Sequence, residues 1–162
     1  MEANGVSRKT SAVNSPIVSP EVFPAAAGTI HIAADHFDKM ANVMVYDSYP
    51  DGSGKQVNFQ KNLDRSWIDY TLDVPKAGTY SLVVKLAAPN RGQVLNVTVG
   101  TGPAATIHVP NTRGLWGTTP ALDLKLEKGK QKLRIAAPFQ RGIAVKWIEL
   151  NLRKLETDWK VW

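Results

Sequence analysis

Between Ser66 and Leu86 the chain reads SWIDYTLDVPKAGTYSLVVKL, two strictly alternating segments joined by a Pro-Lys-Ala-Gly turn. Successive side chains of a strand point to opposite faces. Trp67, Asp69, Thr71 and Asp73 therefore share one face, and Ile68, Tyr70, Leu72 and Val74 share the other, the pattern of a half-buried strand. The pattern returns where Leu122, Leu124 and Leu126 alternate with Asp123, Lys125 and Glu127, a Lys-Gly turn follows, and Leu133 and Ile135 alternate with Lys132 and Arg134. Short alternating strands spaced by turn residues predict an all-β protein, an antiparallel β-sandwich. Such a scaffold favours binding over catalysis.

The predicted strands are 29–34, 43–46, 55–59, 67–74, 79–88, 94–99, 106–109, 121–126, 131–137 and 143–152, and a turn of helix could sit in 33–42. The long connections are 47–54, 60–66, 110–120 and 138–142. Loops on a rigid sandwich are where a site is expected. Residues 1–27 are rich in Ser, Ala and Pro without periodicity and read as an extended linker to a neighbouring domain. The sandwich itself is predicted over 28–153. A tail over 154–162 carries Trp159 and Trp162, which would pack back on the body or face a partner domain.

At 162 residues the chain holds one domain with appendages. It has no cysteine, which excludes a disulfide framework and thiol chemistry. No apolar run is long enough for a membrane helix, and the N-terminus lacks a signal-peptide layout. Of the +6 net charge, all resides in residues 28–153, with 16 Lys and Arg against 10 Asp and Glu. A basic folded part favours anionic partners such as uronic or sulfated polysaccharides, or else is a solubilising surface around residues such as Lys132 and Arg134 on an ordinary hairpin. Nucleic acid is not expected, because no Lys/Arg cluster is interleaved with aromatics in a recognition motif.

Catalytic groupings are weak. His31, His36 and His108 have no zinc-ligand spacing. Asp69 and Asp73 share an outward strand face, where solvation explains them better than glycosidase chemistry. The Asp51-Gly52-Ser53-Gly54 stretch lacks the strand and helix of a phosphate-binding loop. The chain is not expected to be an enzyme.

The segments IHIAADHFD (30–38), DGSGKQVNF (51–59), SWIDYTLDVPKAGTYSLVVKLAA (66–88), LNVTVG (95–100), VPNTRGLWGTT (109–119), LEKGKQKLRIAAP (126–138) and VKWIEL (145–150) together resemble family 6 carbohydrate-binding modules, with related family 35 modules sharing the fold. The resemblance implies a galactose-binding-like jelly roll, a non-catalytic appendage of a secreted bacterial glycoside hydrolase. It also implies secretion to the periplasm, cell surface or medium, a polysaccharide ligand, a covalently linked catalytic domain, no membrane partner and a monomer.

Family members bind sugar either in edge loops, between two aromatic rings and an asparagine, or on the concave sheet face. In this chain the first loop aromatic corresponds to Leu115 or Trp116, the opposing one to Lys61 or Phe59, and the asparagine to Ala144. Trp67 corresponds to a concave-face tryptophan. Trp116 would stack on a ring, with Asn111, Arg113 and Arg141 bonding hydroxyls or sulfates. The family's structural calcium ligands map to Ala33, Asp35 and Lys146; two of the carboxylates are gone and an ammonium is gained, so no cofactor is expected and Lys146 should pair with Asp35 in place of the ion. The altered site leaves a second expectation, a structural accessory domain packed on a neighbouring catalytic domain.

Overall fold

The structure, a computed structural model, describes residues 28–48, 54–60, 65–138 and 142–155. They form strands and turns throughout. The turn of helix considered for 33–42 does not form: Ala34 and Asp35 make a turn, and Lys39–Ala41 is a short strand.

Numbered in chain order, the strands are β1 (Thr29–Ala33), β2 (Lys39–Ala41), β3 (Val43–Asp47), β4 (Lys55–Phe59), β5 (Ser66–Val74), β6 (Gly78–Ala87), β7 (Gln93–Val99), β8 (Ala105–Val109), β9 (Gly117–Thr118), β10 (Leu122–Leu126), β11 (Gly129–Ala137) and β12 (Ala144–Leu155). A seven-stranded sheet runs β9-β6-β12-β4-β3, with β10 also on β6 and β1 also on β12. A five-stranded sheet runs β2-β5-β11-β7-β8. Every recorded pairing is antiparallel. The predicted β-sandwich is the observed fold, with two short strands, β2 and β9, in stretches expected to be irregular.

The alternation identifies the buried faces correctly. Ile68, Tyr70, Leu72 and Val74 of β5 meet Tyr80, Leu82, Val84 and Leu86 of β6 in one core, joined by Leu133 and Ile135 of β11 and by Ile148 and Leu150 of β12. Each such side chain contributes about 1.5–3 kcal/mol when fully buried. What alternation did not reveal is pairing. The two strands around the Pro-Lys-Ala-Gly turn are not a hairpin: β5 pairs with β11 and β2, whereas β6 pairs with β12, β10 and β9 in the other sheet. The same holds for β10 and β11, so the hairpin expected around Lys132 and Arg134 is corrected to a crossing between sheets. Both turns are arches that close the core, and the chain squeezes through at Gly78. A Cβ there would stand 2.3 Å from the Lys154 carbonyl oxygen and 2.7 Å from Leu152 Cδ1.

Two details shape the end of the sandwich around Ala34 and Lys146. The Tyr70 hydroxyl donates to the Ala34 carbonyl oxygen at 2.7 Å, crossing from β5 to the turn after β1. Burial pushes the Tyr70 phenol well above its ordinary value, with Asp35 adding to the effect. In β12 the register against β6 slips between Val145 and Trp147, which makes Lys146 the extra residue of a β-bulge. Val145 and Ile148 are both buried, so Lys146 and Trp147 lie together on the outer face. The strand continues to Leu155, two residues past the expected module end.

Candidate functional site

The connection after β8 is built to present Trp116. Thr112 fastens it to the end of β6: its N–H donates to the Ala88 carbonyl at 2.9 Å, and its hydroxyl accepts from the Ala88 N–H at 2.8 Å. The Asn111 side-chain oxygen accepts from the Arg113 N–H at 2.9 Å, and Arg113 and Gly114 then turn with φ of 57° and 82°. Only glycine adopts such a φ at little cost, so Arg113 is held by its surroundings. The turn leaves Leu115 in solvent at 71 % exposure and brings Trp116, half-buried, back against the body before Gly117 pairs with Leu86.

Trp116 faces a depression of about 200 Å³ at the upper end of the seven-stranded sheet's outer face. Ala87 and Ala144, partners across β6 and β12, keep the sheet low beneath it. Gln56 and Asn58 of β4 line the far side, and the Gln56 amide nitrogen donates to Asn58 Oδ1 at 2.8 Å. The Lys146 ammonium, brought out by the bulge, stands 5.4 Å from the Trp116 ring centroid. Sites for drug-sized ligands run to about 300–1,000 Å³, so this one suits a single small ring. An indole, a carboxamide pair and an ammonium offer a ring face, directional donors and acceptors, and one positive charge.

The expected site residues divide. Trp116 lines the depression, with Ala144 at the position of the family asparagine. Asn111 and Arg113 belong to the same loop and are exposed, shaping the turn rather than lining the depression. Phe59 is a correction: at 2 % exposure it is a core residue and presents no ring to a ligand. Lys61 and Arg141 lie outside the described residues.

Trp67 lies elsewhere, on the outer face of the five-stranded sheet, with the Arg134 guanidinium 3.8 Å from its ring centroid. Arg134 also donates to both oxygens of Asp69, at 2.7 and 2.9 Å, which raises the guanidinium's already high pKa. Asp69, expected to be solvated, is 1 % exposed beneath this pair, and Arg134 is no loose solubilising charge.

The Asp35–Lys146 pair is also a correction, since Lys146 turns to Trp116 and makes no ion pair with Asp35. Ala33, Asp35 and Lys146 supply one carboxylate and an ammonium where calcium takes six to eight oxygens, so these residues do not fit the ion. Among the described residues no group of three or more His, Cys, Asp or Glu could hold a metal.

Gln56 and Asn58 were missed in the sequence. Their signal was there: in Lys55-Gln56-Val57-Asn58-Phe59 the polar residues two apart share the face opposite Val57 and Phe59. Asn58 pairs in register with Ala144, so a carboxamide stands on the strand beside the position where the family's asparagine is lost.

Comparison with known proteins bears on this geometry. The family model described as carbohydrate binding module (family 6) matches residues 33–152. No curated protein sequence matches the chain. Among solved structures, the chain is similar to the C-terminal family 6 module of a laminarinase from Zobellia galactanivorans, at 20% identity and TM-score 0.66, covering 76% of this chain and 98% of that one. It is similar to a module of Cellvibrio mixtus lichenase 5A solved with cellotriose, at 24% identity and TM-score 0.64, covering 76% and 97%. A Podospora anserina mannanase with a family 35 module matches at 16% identity and TM-score 0.65, over 78% of this chain and 28% of that one. At these identities the structural likeness speaks for the fold, and the sequence match over most of the chain speaks for the family. Among the described residues no helix is long and apolar enough to cross a membrane. The family match over residues 33–152 shows that this chain belongs to the family 6 carbohydrate-binding modules, a non-catalytic family.

Proposed function

We infer that this module binds a polysaccharide through the Trp116 depression and thereby holds a linked glycoside hydrolase, in a secreted bacterial protein, close to its substrate. The single observation that carries the reading is Trp116 opposite the Gln56–Asn58 pair over a floor of two alanines. Pyranose C–H groups carry partial positive charge and rest well on an indole face, while ring hydroxyls need donors and acceptors fixed in direction. Gln56 holds the Asn58 carbonyl and so fixes the carboxamide's orientation.

The Lys146 ammonium beside the ring adapts the pocket to a glycan carrying a carboxylate or sulfate. Shallow single-ring sites bind at about millimolar to micromolar strength, roughly 4–8 kcal/mol, so tethering rather than affinity supplies the benefit. The module acts as a monomer on this reading.

Affinity electrophoresis against neutral, uronic and sulfated polysaccharides, with Trp116→Ala beside the unaltered protein, tests it. Retardation by at least one polymer and its loss in the variant are expected. Absence of retardation in every gel would favour the accessory-domain role.

A further inference from the structure

Below the depression, the outer face of the seven-stranded sheet carries a second organised group. Trp147 follows Lys146 out of the bulge, half-buried, with the His31 ring centroid 5.1 Å from its own at 45°. His31 Nδ1 lies 3.1 Å from Glu149 Oε2, the Asn151 amide donates to Glu149 Oε1 at 3.2 Å, and the Thr29 hydroxyl donates to Asn151 Oδ1 at 2.9 Å. The His31 and Glu149 side chains are 24% and 29% exposed, so the chain of bonds is ordered yet reachable from solvent. Opposite Trp147 on β1 is Ala33, too small to crowd the indole. None of these side chains belongs to the core between the sheets.

We propose that this row is a second sugar subsite, occupied by an uncharged pyranose unit of the same polysaccharide chain that enters the Trp116 depression; the inference rests on that reading of the depression. Continuity carries it. Ala144 lines the depression, Lys146 reaches from β12 to Trp116, and Trp147 is the next residue on the same face, about 10 Å from Ala144 at the strand rise. The group has the chemistry of the first site: an indole beside hydrogen-bonding side chains whose rotamers are already fixed. Glu149 and Lys85, the residue opposite Trp147 on β6, give the row one charge of each sign, so no net positive charge draws an anionic unit here, in contrast to the pocket with its Lys146. A protein partner would seek apolar anchors, and the exposed Met44, Val45 and Tyr46 lie on the β3 edge rather than on this row. The bulge is therefore a specificity device: one inserted residue turns Lys146 to the pocket and Trp147 to the row beneath it, and fixes a glycan running along β12.

The test is an NMR titration of the full chain, following the Trp116 and Trp147 indole N–H signals. The probes are a β-1,3-glucan hexasaccharide, a β-1,4-xylan hexasaccharide with one glucuronate branch, and the disaccharides of both backbones. At least one hexasaccharide should move both signals and bind about fivefold more tightly than its disaccharide. Trp147→Ala should bring that hexasaccharide down to disaccharide affinity. Glu149→Ala, which leaves the indole in place, should also weaken the hexasaccharide and guards against a folding defect in the first variant. Movement of Trp116 alone, with no gain from length, overturns the second subsite and leaves the pocket reading standing. Movement of neither signal with any probe overturns both, and movement of Trp147 alone overturns the pocket and with it the continuous path.

Discussion

The two outer faces of the sandwich each carry tryptophan, and they use it in opposite ways. On the five-stranded sheet Trp67 lies under the Arg134 guanidinium, which is itself clamped to the buried Asp69. On the seven-stranded sheet Trp116 lines a depression together with Ala87, Ala144, Gln56 and Asn58, and the Lys146 ammonium stands 5.4 Å from its ring centroid. An outward indole is thus not by itself a platform for sugar. What separates the two is the surroundings: Trp116 borders a depression, whereas Trp67 lies under a guanidinium that Asp69 holds in place.

The largest test of this contrast is Asp69→Ala. It removes the anion that holds Arg134 and leaves a cavity beneath the guanidinium, and should cost about 2–3 kcal/mol in denaturant unfolding. Polysaccharide binding should survive at native temperature. If binding falls in step with Trp116→Ala, the five-stranded face is part of the site and the contrast fails.

Next comes the exchange of tryptophans. Trp116→Ala should lose about 2 kcal/mol of binding, roughly 30-fold, with little change in stability. Trp67→Ala should do the reverse, losing about 1 kcal/mol of stability through the lost cation–π contact while retardation in the gel is kept.

Tyr70 joins the two regions, because its hydroxyl reaches from the five-stranded sheet to the turn after β1. Tyr70→Phe should cost about 1 kcal/mol by leaving the Ala34 carbonyl without its donor. The phenol's folded pKa lies above its ordinary 10.0, so the neutral form is the folded one. Stability from this group is complete below pH 10.0 and falls above it, as the unfolded chain ionises first. Urea midpoints measured across that boundary should fall more steeply for the unaltered protein than for the variant. Parallel lines would show that the phenol is not buried as described.

The smallest effect is expected from Lys146→Gln. It should weaken an anionic glycan by about twofold to fivefold at low salt, a difference that shrinks as salt is added. A neutral glucan should be indifferent to it.

Much of this architecture is written in local patterns. The strict alternation through Ser66–Val74 and Gly78–Ala87 gave the core faces residue by residue, because a period of two follows from strand geometry alone. The turn dipeptides gave most strand ends. The same alternation is silent about partners: Leu72 and Leu82 look equivalent in sequence, yet they come from opposite sheets and meet across the core. Of the two loop positions the sequence offered, Leu115 stands in solvent and Trp116 lines the depression. Phe59 was misassigned because the family pattern drew attention to aromatic rings, although its own strand parity places it with Val57 facing inward.

From its composition and alternation alone, the chain was bound to bury one face of each strand and to form a sandwich without disulfides or thiol chemistry. Hydrophobic burial acts on each residue where it stands, so that outcome is local. Tertiary structure decided what sequence spacing cannot: that Arg134 covers Trp67, that Asn58 comes to stand beside Ala144, and that one extra residue in β12 sends Lys146 toward Trp116 instead of Asp35. Those relations depend on register between strands far apart in the chain, and register is set only when the whole core closes.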